Sequence, residues 1–233
     1  MKKEMWKLCA HVLRFLRGEL IWQVSLQMGC GLFGMGLAAL IVFAAQGKYF
    51  MLGGIIAFLL SLMVEGIVCM FSGKSTFFMM VSMSRTRKEY ETALLISNLV
   101  HALLATGIIM GVTAIEVILK NTLYAGILCE FDTAGIFLNV RFFIGSVCLF
   151  VILRELFVAT FIRFGMPVYA AWWILCISLN MIINRSDSAL GTVRKAFAWF
   201  WRAPEILWTA GLLVLTVICV GIAHMMLRKK AIA

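Results

Sequence analysis

The stretch ILWTAGLLVLTVICVGIAHMML, residues 206–227, contains no Asp, Glu, Lys or Arg and ends directly before Arg228, Lys229 and Lys230. A helix needs about 20 mainly apolar residues to cross the hydrocarbon core of a bilayer, so this stretch predicts a transmembrane helix. Cytoplasmic loops carry an excess of Lys and Arg. The basic residues that follow therefore predict that this helix ends on the cytoplasmic side.

The composition of the whole chain agrees with a membrane location. Its 233 residues are 63% hydrophobic and 14% charged, and the mean hydropathy is +1.01. Soluble domains carry about 25% charged residues, so the composition excludes an ordinary soluble enzyme. The net charge of +10 favours contact with anionic membrane lipids over binding of nucleic acid, because the chain is so apolar.

Five further apolar stretches are long enough to cross the bilayer, and with 206–227 they predict six transmembrane helices and an all-α membrane protein. They cover residues 20–45, 51–71, 93–119, 142–162 and 168–183. The transmembrane domain then extends over residues 20–227. Residues 1–19 have the basic and apolar faces of an amphipathic helix at the cytoplasmic interface, and residues 228–233 form a basic tail.

The distribution of Lys and Arg predicts the orientation of the six helices. With the N-terminus inside, 13 of the 21 basic residues lie in cytoplasmic segments and 7 lie outside. Both termini are therefore expected in the cytoplasm of a multi-pass cell-membrane protein.

The outer loops offer little room for a folded domain. Residues 46–50 and 120–141 are too few for a receptor domain, and 184–204 mixes basic and aromatic residues. Such residues belong at the headgroup level. We expect a short helix at the outer leaflet there, with a simple aromatic belt as the more frequent alternative. The seven cysteines form no C-x-x-C pair, so we interpret them as apolar filler and expect no metal or cofactor on this chain.

Four ionisable residues stand out within the predicted spans: Glu65, His101, Arg154 and Glu155. A charge at the centre of a membrane helix costs about 2.5–3.5 kcal/mol, so such residues find partners. Because Glu65 and Arg154 lie at similar depths, we expect Arg154 to pair with Glu65 or with Glu155. This intramembrane charge cluster is a structural clamp or part of a substrate path, and the clamp is favoured. We expect His101 to be a hydrogen-bonded packing residue.

Small residues recur at four-residue spacing in two spans. Gly107 and Gly111 form a G-x-x-x-G step, and Gly34 with Ala38 forms a similar one. Such steps let helix backbones approach closely. They are typical both of dimer interfaces and of packing within one chain.

The segment FFMMVSMSRTRKEY, residues 77–90, lies between the second and third spans. Thr86 and Glu89 form a T-x-x-E capping box, which predicts that the third helix starts at Thr86. The preceding apolar residues predict a short helix on the membrane surface. Arg85, Arg87 and Lys88 then face the cytosol, where a soluble partner can bind.

Here the chain resembles the ABC-2 type family of ABC transporter membrane subunits, many of which carry L-P-x-S-R-K-E-Y after the second span. Met83, Thr86 and the run from Arg87 to Tyr90 match this pattern, whereas Ser84 stands where Pro or Gly is usual. The resemblance implies an ATPase-coupling loop over residues 73–91. Its contact residues are Phe77, Phe78, Met83, Arg85, Thr86, Arg87, Lys88, Glu89 and Tyr90.

The resemblance further implies a permease subunit of an exporter, which moves an amphipathic or hydrophobic cargo such as a peptide, an antibiotic or a lipid. The permease would form a homodimer or heterodimer with a second permease subunit. It would bind two cytoplasmic ATPase subunits, which hold ATP and Mg²⁺. The chain itself has no ATPase site, because the G-K-S sequence at Gly73 lacks the earlier glycine of a phosphate loop.

The alternative is an ATP-independent integral membrane scaffold or regulatory protein. An intramembrane enzyme is less favoured. Such an enzyme needs paired catalytic groups, whereas only one of the three histidines, His101, lies deep in a predicted span.

Overall fold

The computed structural model describes residues 17–44, 48–63, 87–165, 167, 168, 170–172, 174, 178 and 204–228. The elements in these ranges are α1 (Arg17–Ala44), β1 (Lys48–Phe50), α2 (Gly53–Met63), α3 (Arg87–Thr122), β2 (Leu128–Phe131), α4 (Ala134–Phe137), α5 (Val140–Phe164) and α6 (Glu205–Arg228). The described residues between positions 167 and 178 are also helical.

Among the residues that the structure describes, four helices are long and apolar enough to cross a membrane. Their apolar parts are Leu20–Ala44, Leu94–Thr122, Val140–Phe164 and Glu205–Leu227, and they correspond to the predicted first, third, fourth and sixth spans. The protein is therefore a helical membrane protein, as predicted. Large apolar side chains point outward from these helices, for example Trp22 at 73% and Val217 at 71% exposure, which suits a lipid environment.

The other predicted segments are described only in part. Of the predicted span 51–71, Gly53–Met63 is an apolar helix, and of 168–183 the described residues are helical. Residues 17–19, which the sequence assigned to a separate interfacial helix, are part of α1. Residues 1–16, 184–203 and 229–233 lie outside the described residues.

Helices α1 and α3 run parallel to each other. Gln23 contacts His101, and eight residues later a Cβ on Gly31 would lie 2.7 Å from Cγ2 of Val112. Helix α2 runs antiparallel to α3, since Gly53 contacts Glu116 and a Cβ on Gly54 would lie 2.3 Å from Oγ1 of Thr113.

Helices α5 and α6 also run parallel to each other. A Cβ on Gly145 would lie 3.0 Å from the Trp208 ring, and near the other end Val158 and Ala223 share one apolar cluster. Helix α5 is antiparallel to α3, because Asn98 near the start of α3 contacts Arg154 in the second half of α5.

These directions define two ends of the bundle. At one end α1 and α3 begin and α5 and α6 end, which brings Arg17, Arg87, Arg163 and Arg228 to the same end. We call it the basic end. At the opposite end lie β1 and β2, and we call it the strand end.

The two strands were not predicted from the sequence. β1 and β2 pair in parallel, with Lys48 opposite Leu128 and Tyr49 opposite Cys129, and the register shifts before Phe50. Tyr49 also stacks on Tyr124 at a ring-centroid distance of 5.0 Å. The segment after α1 and the segment after α3 are thus joined by backbone pairing.

The two pairs of small residues at four-residue spacing, Gly34 with Ala38 and Gly107 with Gly111, have different surroundings. A Cβ on Gly34 would lie 2.9 Å from the Cα of Gly53, so this glycine permits close contact between α1 and α2. Gly107 and Gly111 have open space instead, with no atom within 4 Å of an added Cβ.

The apolar core lies between α2, α3 and α5. Phe58 of α2 contacts the rings of Phe137, Phe142 and Phe150 at centroid distances of 5.8–6.3 Å. A second cluster near the basic end joins α5 to α6, and Trp172 packs on Phe157 there at 5.9 Å. The predicted fifth span therefore contacts α5 through Trp172.

Candidate functional site

Helix α3 places three polar side chains on neighbouring faces near the basic end. Glu91, Asn98 and His101 are separated by seven and three residues, and at about 3.6 residues per turn such spacings keep side chains close around the helix. All three are buried, with 3%, 1% and 0% exposure. Buried polar groups in a bundle need partners, and each of these side chains finds one on a different helix.

Asn98 bridges the two charged residues of α5. Its Oδ1 accepts a hydrogen bond from Nε of Arg154 at 2.9 Å, and its Nδ2 donates to Oε1 of Glu155 at 2.9 Å. Arg154 and Glu155 are 3% and 0% exposed. The amide therefore presents its acceptor to the cation and its donor to the carboxylate.

This arrangement refines the predicted charge cluster. Arg154 and Glu155 do lie in one buried network, but the residue that connects them is Asn98, which the sequence did not point out. Polar Asn in an apolar helix was the available signal, because such residues form interhelical hydrogen bonds in membranes. Glu65, the other expected partner of Arg154, lies outside the described residues.

His101 connects α3 to α1. Its Nδ1 is hydrogen-bonded to Oε1 of Gln23, and both side chains are buried, at 0% and 1% exposure. The expectation of a hydrogen-bonded packing histidine is confirmed. The sequence did not identify Gln23 as its partner.

Glu91 connects α3 to α6. Oε2 of Glu91 lies 3.8 Å from Nδ1 of His224, whose side chain is 23% exposed. One helix thus holds polar contacts to α1, α5 and α6 within about three turns. We call these residues the inner polar network: Gln23, Glu91, Asn98, His101, Arg154, Glu155 and His224.

Several polar atoms in and beside the network are buried without a hydrogen-bond partner among the described residues. They are Oε2 of Glu155, Nε2 of His101, Nε2 of His224 and both amide atoms of Gln27. An unsatisfied buried polar group costs free energy, so these atoms are positions where a proton, water or a ligand group would be stabilised.

A second buried polar site lies at the strand end. Glu116 of α3 accepts hydrogen bonds from the backbone N–H groups of Gly53 at 3.0 Å and Gly54 at 3.3 Å. The Leu52 N–H and the Tyr49 hydroxyl lie close to this carboxylate. Glu116 therefore caps the N-terminus of α2 from another helix, where the helix dipole favours negative charge.

Sequence reasoning did not single out Glu116, although it lies in the third predicted span. The signal that could have found it is the start of the second predicted span, where Gly53 and Gly54 follow Leu52 without a Ser, Thr, Asp or Asn to cap the helix. Burial raises the pKa of Tyr49, and the nearby Glu116 raises it further, so the hydroxyl stays protonated.

An exposed ion pair lies next to this site. Nζ of Lys120 is 2.8 Å from Oδ2 of Asp132, and the hydrogen bond from Lys120 lowers the pKa of Asp132. The Asp132 side chain is 48% exposed, so solvent screening keeps the contribution of the pair small.

The proposed ATPase-coupling residues are described only at the start of α3. Helix α3 begins at Arg87, so Arg87, Lys88, Glu89 and Tyr90 form its first turn. Phe77, Phe78, Met83, Arg85 and Thr86 lie outside the described residues.

No group of three or more His, Cys, Asp or Glu residues that could hold a metal ion occurs in the ranges the structure describes. The cysteines described there, Cys30, Cys129, Cys148 and Cys219, are free thiols. The chemistry that the described polar groups offer is hydrogen bonding, charge pairing and proton binding.

Comparisons with protein-family models, with curated proteins and with solved structures find no match to this chain.

Proposed function

We propose that this chain is the membrane-spanning permease subunit of an ATP-driven exporter of the ABC-2 type. The observation that carries the proposal is the position of α3. The coupling segment, residues 77–90, runs into the first turn of this helix. The same helix then makes buried polar contacts to α1, α5 and α6, so a displacement of its start is transmitted to three other helices.

The length of α3 supports this role. Its 36 residues extend over about 54 Å at about 1.5 Å per residue, whereas the hydrocarbon core is about 30 Å thick. Its apolar part begins at Leu94. We therefore place the first turn of α3, residues 87–90, at the membrane surface as a continuation of the span, where a soluble ATPase subunit can push against it.

The helix directions support six crossings. Helices α1 and α3 are parallel, so the chain between them has to return across the bilayer, and the same holds for α5 and α6. Only helices or closed barrels satisfy the backbone in hydrocarbon. We therefore assign the two returns to the predicted spans 51–71 and 168–183, which places both ends of the chain at the basic end and, by the positive-inside rule, in the cytoplasm.

In the proposed mechanism the partner ATPases bind ATP and Mg²⁺, and this chain supplies the coupling. ATP can shift the permease only by the amount to which the closed ATPases bind one permease state better than the other. That difference acts through the coupling segment on α3. The inner polar network then moves α1, α5 and α6 with α3, which changes access to an amphipathic or hydrophobic cargo between this chain and a second permease subunit.

Charge reversal in the coupling segment tests this proposal. The double substitution Arg87→Glu and Lys88→Glu should abolish stimulation of the co-purified ATPase by the permease, measured as ATP hydrolysis in proteoliposomes. Arg163→Glu is the matched control, because Arg163 is exposed and lies at the same end of the bundle outside the segment. Unchanged stimulation in the double variant would rule the coupling role out.

Purification in mild detergent tests the partner directly. A soluble ATPase should co-purify with the intact chain and dissociate from the double variant. Its repeated absence from the wild-type preparation would favour the ATP-independent scaffold instead.

A further inference from the structure

Glu155 is the most enclosed charged residue of the inner polar network. It is 0% exposed, and only one of its two carboxylate oxygens has a hydrogen-bond partner in the described part of the chain. Oε1 accepts from Asn98 at 2.9 Å. Oε2 is buried and accepts none.

If Glu155 were ionised, Oε2 would carry part of the negative charge without a hydrogen bond to stabilise it. Burying a charge without hydrogen bonds to both oxygens is strongly unfavourable, and a group in that situation takes up a proton. A protonated carboxyl instead carries a hydrogen on one oxygen and accepts with the other. The hydrogen bond to Oε1 is compatible with that form, because Oε1 remains an acceptor.

The charged groups that act on Glu155 are Arg154 of α5 and Glu91 of α3. Glu91 in turn faces His224 of α6, and α1 contributes the uncharged Gln23 to the network through His101. The Nε of Arg154 is directed to Oδ1 of Asn98 rather than to Glu155.

We propose that Glu155 is an intramembrane proton-binding site that holds one exchangeable proton on Oε2. The proton enters from the basic end through His224 and Glu91, whose Nδ1 and Oε2 atoms lie 3.8 Å apart. His224 is the more exposed member of this pair, since its side chain is 23% exposed and that of Glu91 4%. Uptake of one proton neutralises Glu155, and release of that proton by the same route restores the negative charge.

The proposal does not depend on ATP coupling. A proton site here would supply a charge change within the contacts that join α3 to α5 and α6, whichever energy source drives the protein.

Infrared difference spectroscopy of the purified full-length chain in lipid tests the proton directly. A protonated carboxyl has a C=O stretch apart from the ionised carboxylate and amide bands, and this stretch shifts on transfer from H₂O to D₂O. We expect such a band at neutral pH, its complete loss in Glu155→Gln, and its retention in Glu116→Gln and in the exposed-residue control Glu205→Gln.

Absence of the band from the wild-type protein, or its persistence unchanged in Glu155→Gln, would overturn the proposal. Glu155→Asp provides a second variant in case the amide disturbs folding. It retains a carboxyl that is one methylene shorter, so the band should move rather than disappear. An unmoved band in this variant would assign the proton to another carboxyl.

The route is tested by the rate at which the band shifts in D₂O. His224→Gln removes the imidazole at the solvent side and should slow this exchange about tenfold or more, because the transfer loses its acid–base group. His101→Gln removes the other imidazole of the network and should leave the rate unchanged. Equal slowing in both variants, or in neither, would exclude His224 as the way in.

Discussion

Asn98 binds with both ends of its side-chain amide, and the two ends are not interchangeable. A carboxylate at this position could not donate a hydrogen bond to Oε1 of Glu155, and a purely apolar residue would leave Arg154 and Glu155 without their bridge. The residue therefore fixes one rotational setting of α3 against α5. In a membrane such specificity has to come from polar contacts. The hydrophobic effect does not favour contact between helices over contact with lipid, because lipid tails are as apolar as the helix side chains.

Replacing Asn98 by Leu should destabilise the folded protein by about 1–3 kcal/mol, because it leaves buried polar partners unsatisfied. The measurement is the unfolding free energy in a titration with denaturing detergent. Asn121→Leu is the matched control on the same helix, where the side chain is exposed, and it should change the free energy by no more than about 0.5 kcal/mol. Equal effects of the two variants would refute a bridging role.

We expect substitution of Glu116 to lower the stability of the protein about as much as substitution of Asn98, for a different reason. Glu116→Gln places an amide NH₂ against backbone and hydroxyl donors, so we expect a loss of about 2 kcal/mol and faster hydrogen exchange at the Gly53 and Gly54 amides. Glu205→Gln, whose carboxylate is 76% exposed, serves as the control. Protected glycine amides in Glu116→Gln would show that the carboxylate does not hold the start of α2.

At the level of single residues the sequence allowed part of the site to be predicted. Arg154, Glu155 and His101 were found because ionisable groups are rare in apolar helices. Asn98 and Gln23 were missed because an uncharged amide is tolerated in a membrane helix and its partner depends on helix rotation. The cap on α2 depends on Glu116, which is 62 residues away from Gly54, and such a pairing follows only from the tertiary fold.

Among the elements, the contact between α1 and α2 depends on the absence of a side chain at Gly34. A methyl group there would lie 2.9 Å from the Cα of Gly53 and 3.1 Å from the carbonyl oxygen of Leu52. Both neighbours are backbone atoms, which cannot move aside without displacing α2.

Gly34→Ala should therefore destabilise the protein by about 1–3 kcal/mol through overpacking. Gly36→Ala, two residues along the same helix, meets no atom within 4 Å and should be neutral or stabilising by up to about 1 kcal/mol, because Ala favours the helix. Both are measured as unfolding free energies in detergent. A neutral Gly34→Ala variant would mean that α1 and α2 are not in backbone contact.

Helix positions could be predicted from hydropathy, whereas the strand pair could not. β1 has 3 residues and β2 has 4, too few for an alternating pattern to be recognised. Their pairing is stabilised by neighbours from elsewhere in the chain, such as Ala38 of α1 and Val117 of α3, which pack in one cluster with Tyr49. Secondary structure that depends on such packing leaves little trace in local sequence.

For the whole molecule, the composition and the spacing of apolar stretches were enough to predict a helical membrane protein. The order of contacts between helices was not predictable, since outward-facing and inward-facing residues of a membrane helix are both apolar. Ile206 and Leu207 are 83% and 63% exposed and Trp208, the next residue, is 2% exposed. Hydropathy does not predict which of these neighbours is buried, because Trp208, the residue with a polar side-chain N–H group, is the enclosed one.

The proposed six-span topology predicts the location of each connection. A reporter enzyme that is active only outside the cytoplasm should be active when fused after Gly126 in the exposed turn at the strand end, and inactive when fused after Gly165 or Arg228 at the basic end. The readout is reporter activity normalised to fusion-protein level. Activity after Gly165 would contradict the orientation, and activity after Arg228 alone would contradict the fifth crossing.

The parallel pairing of β1 with β2 also limits how the bundle can deform. Backbone hydrogen bonds join the segment after α1 to the segment after α3, and the Glu116 cap and the Gly34 contact lie on the same side of the molecule. These attachments make the strand end a fulcrum for α1, α2 and α3. A force applied at the basic end then tilts these helices about the strand end. The displacement of each helix increases with distance from the strands, and in α3 it is largest at Arg87.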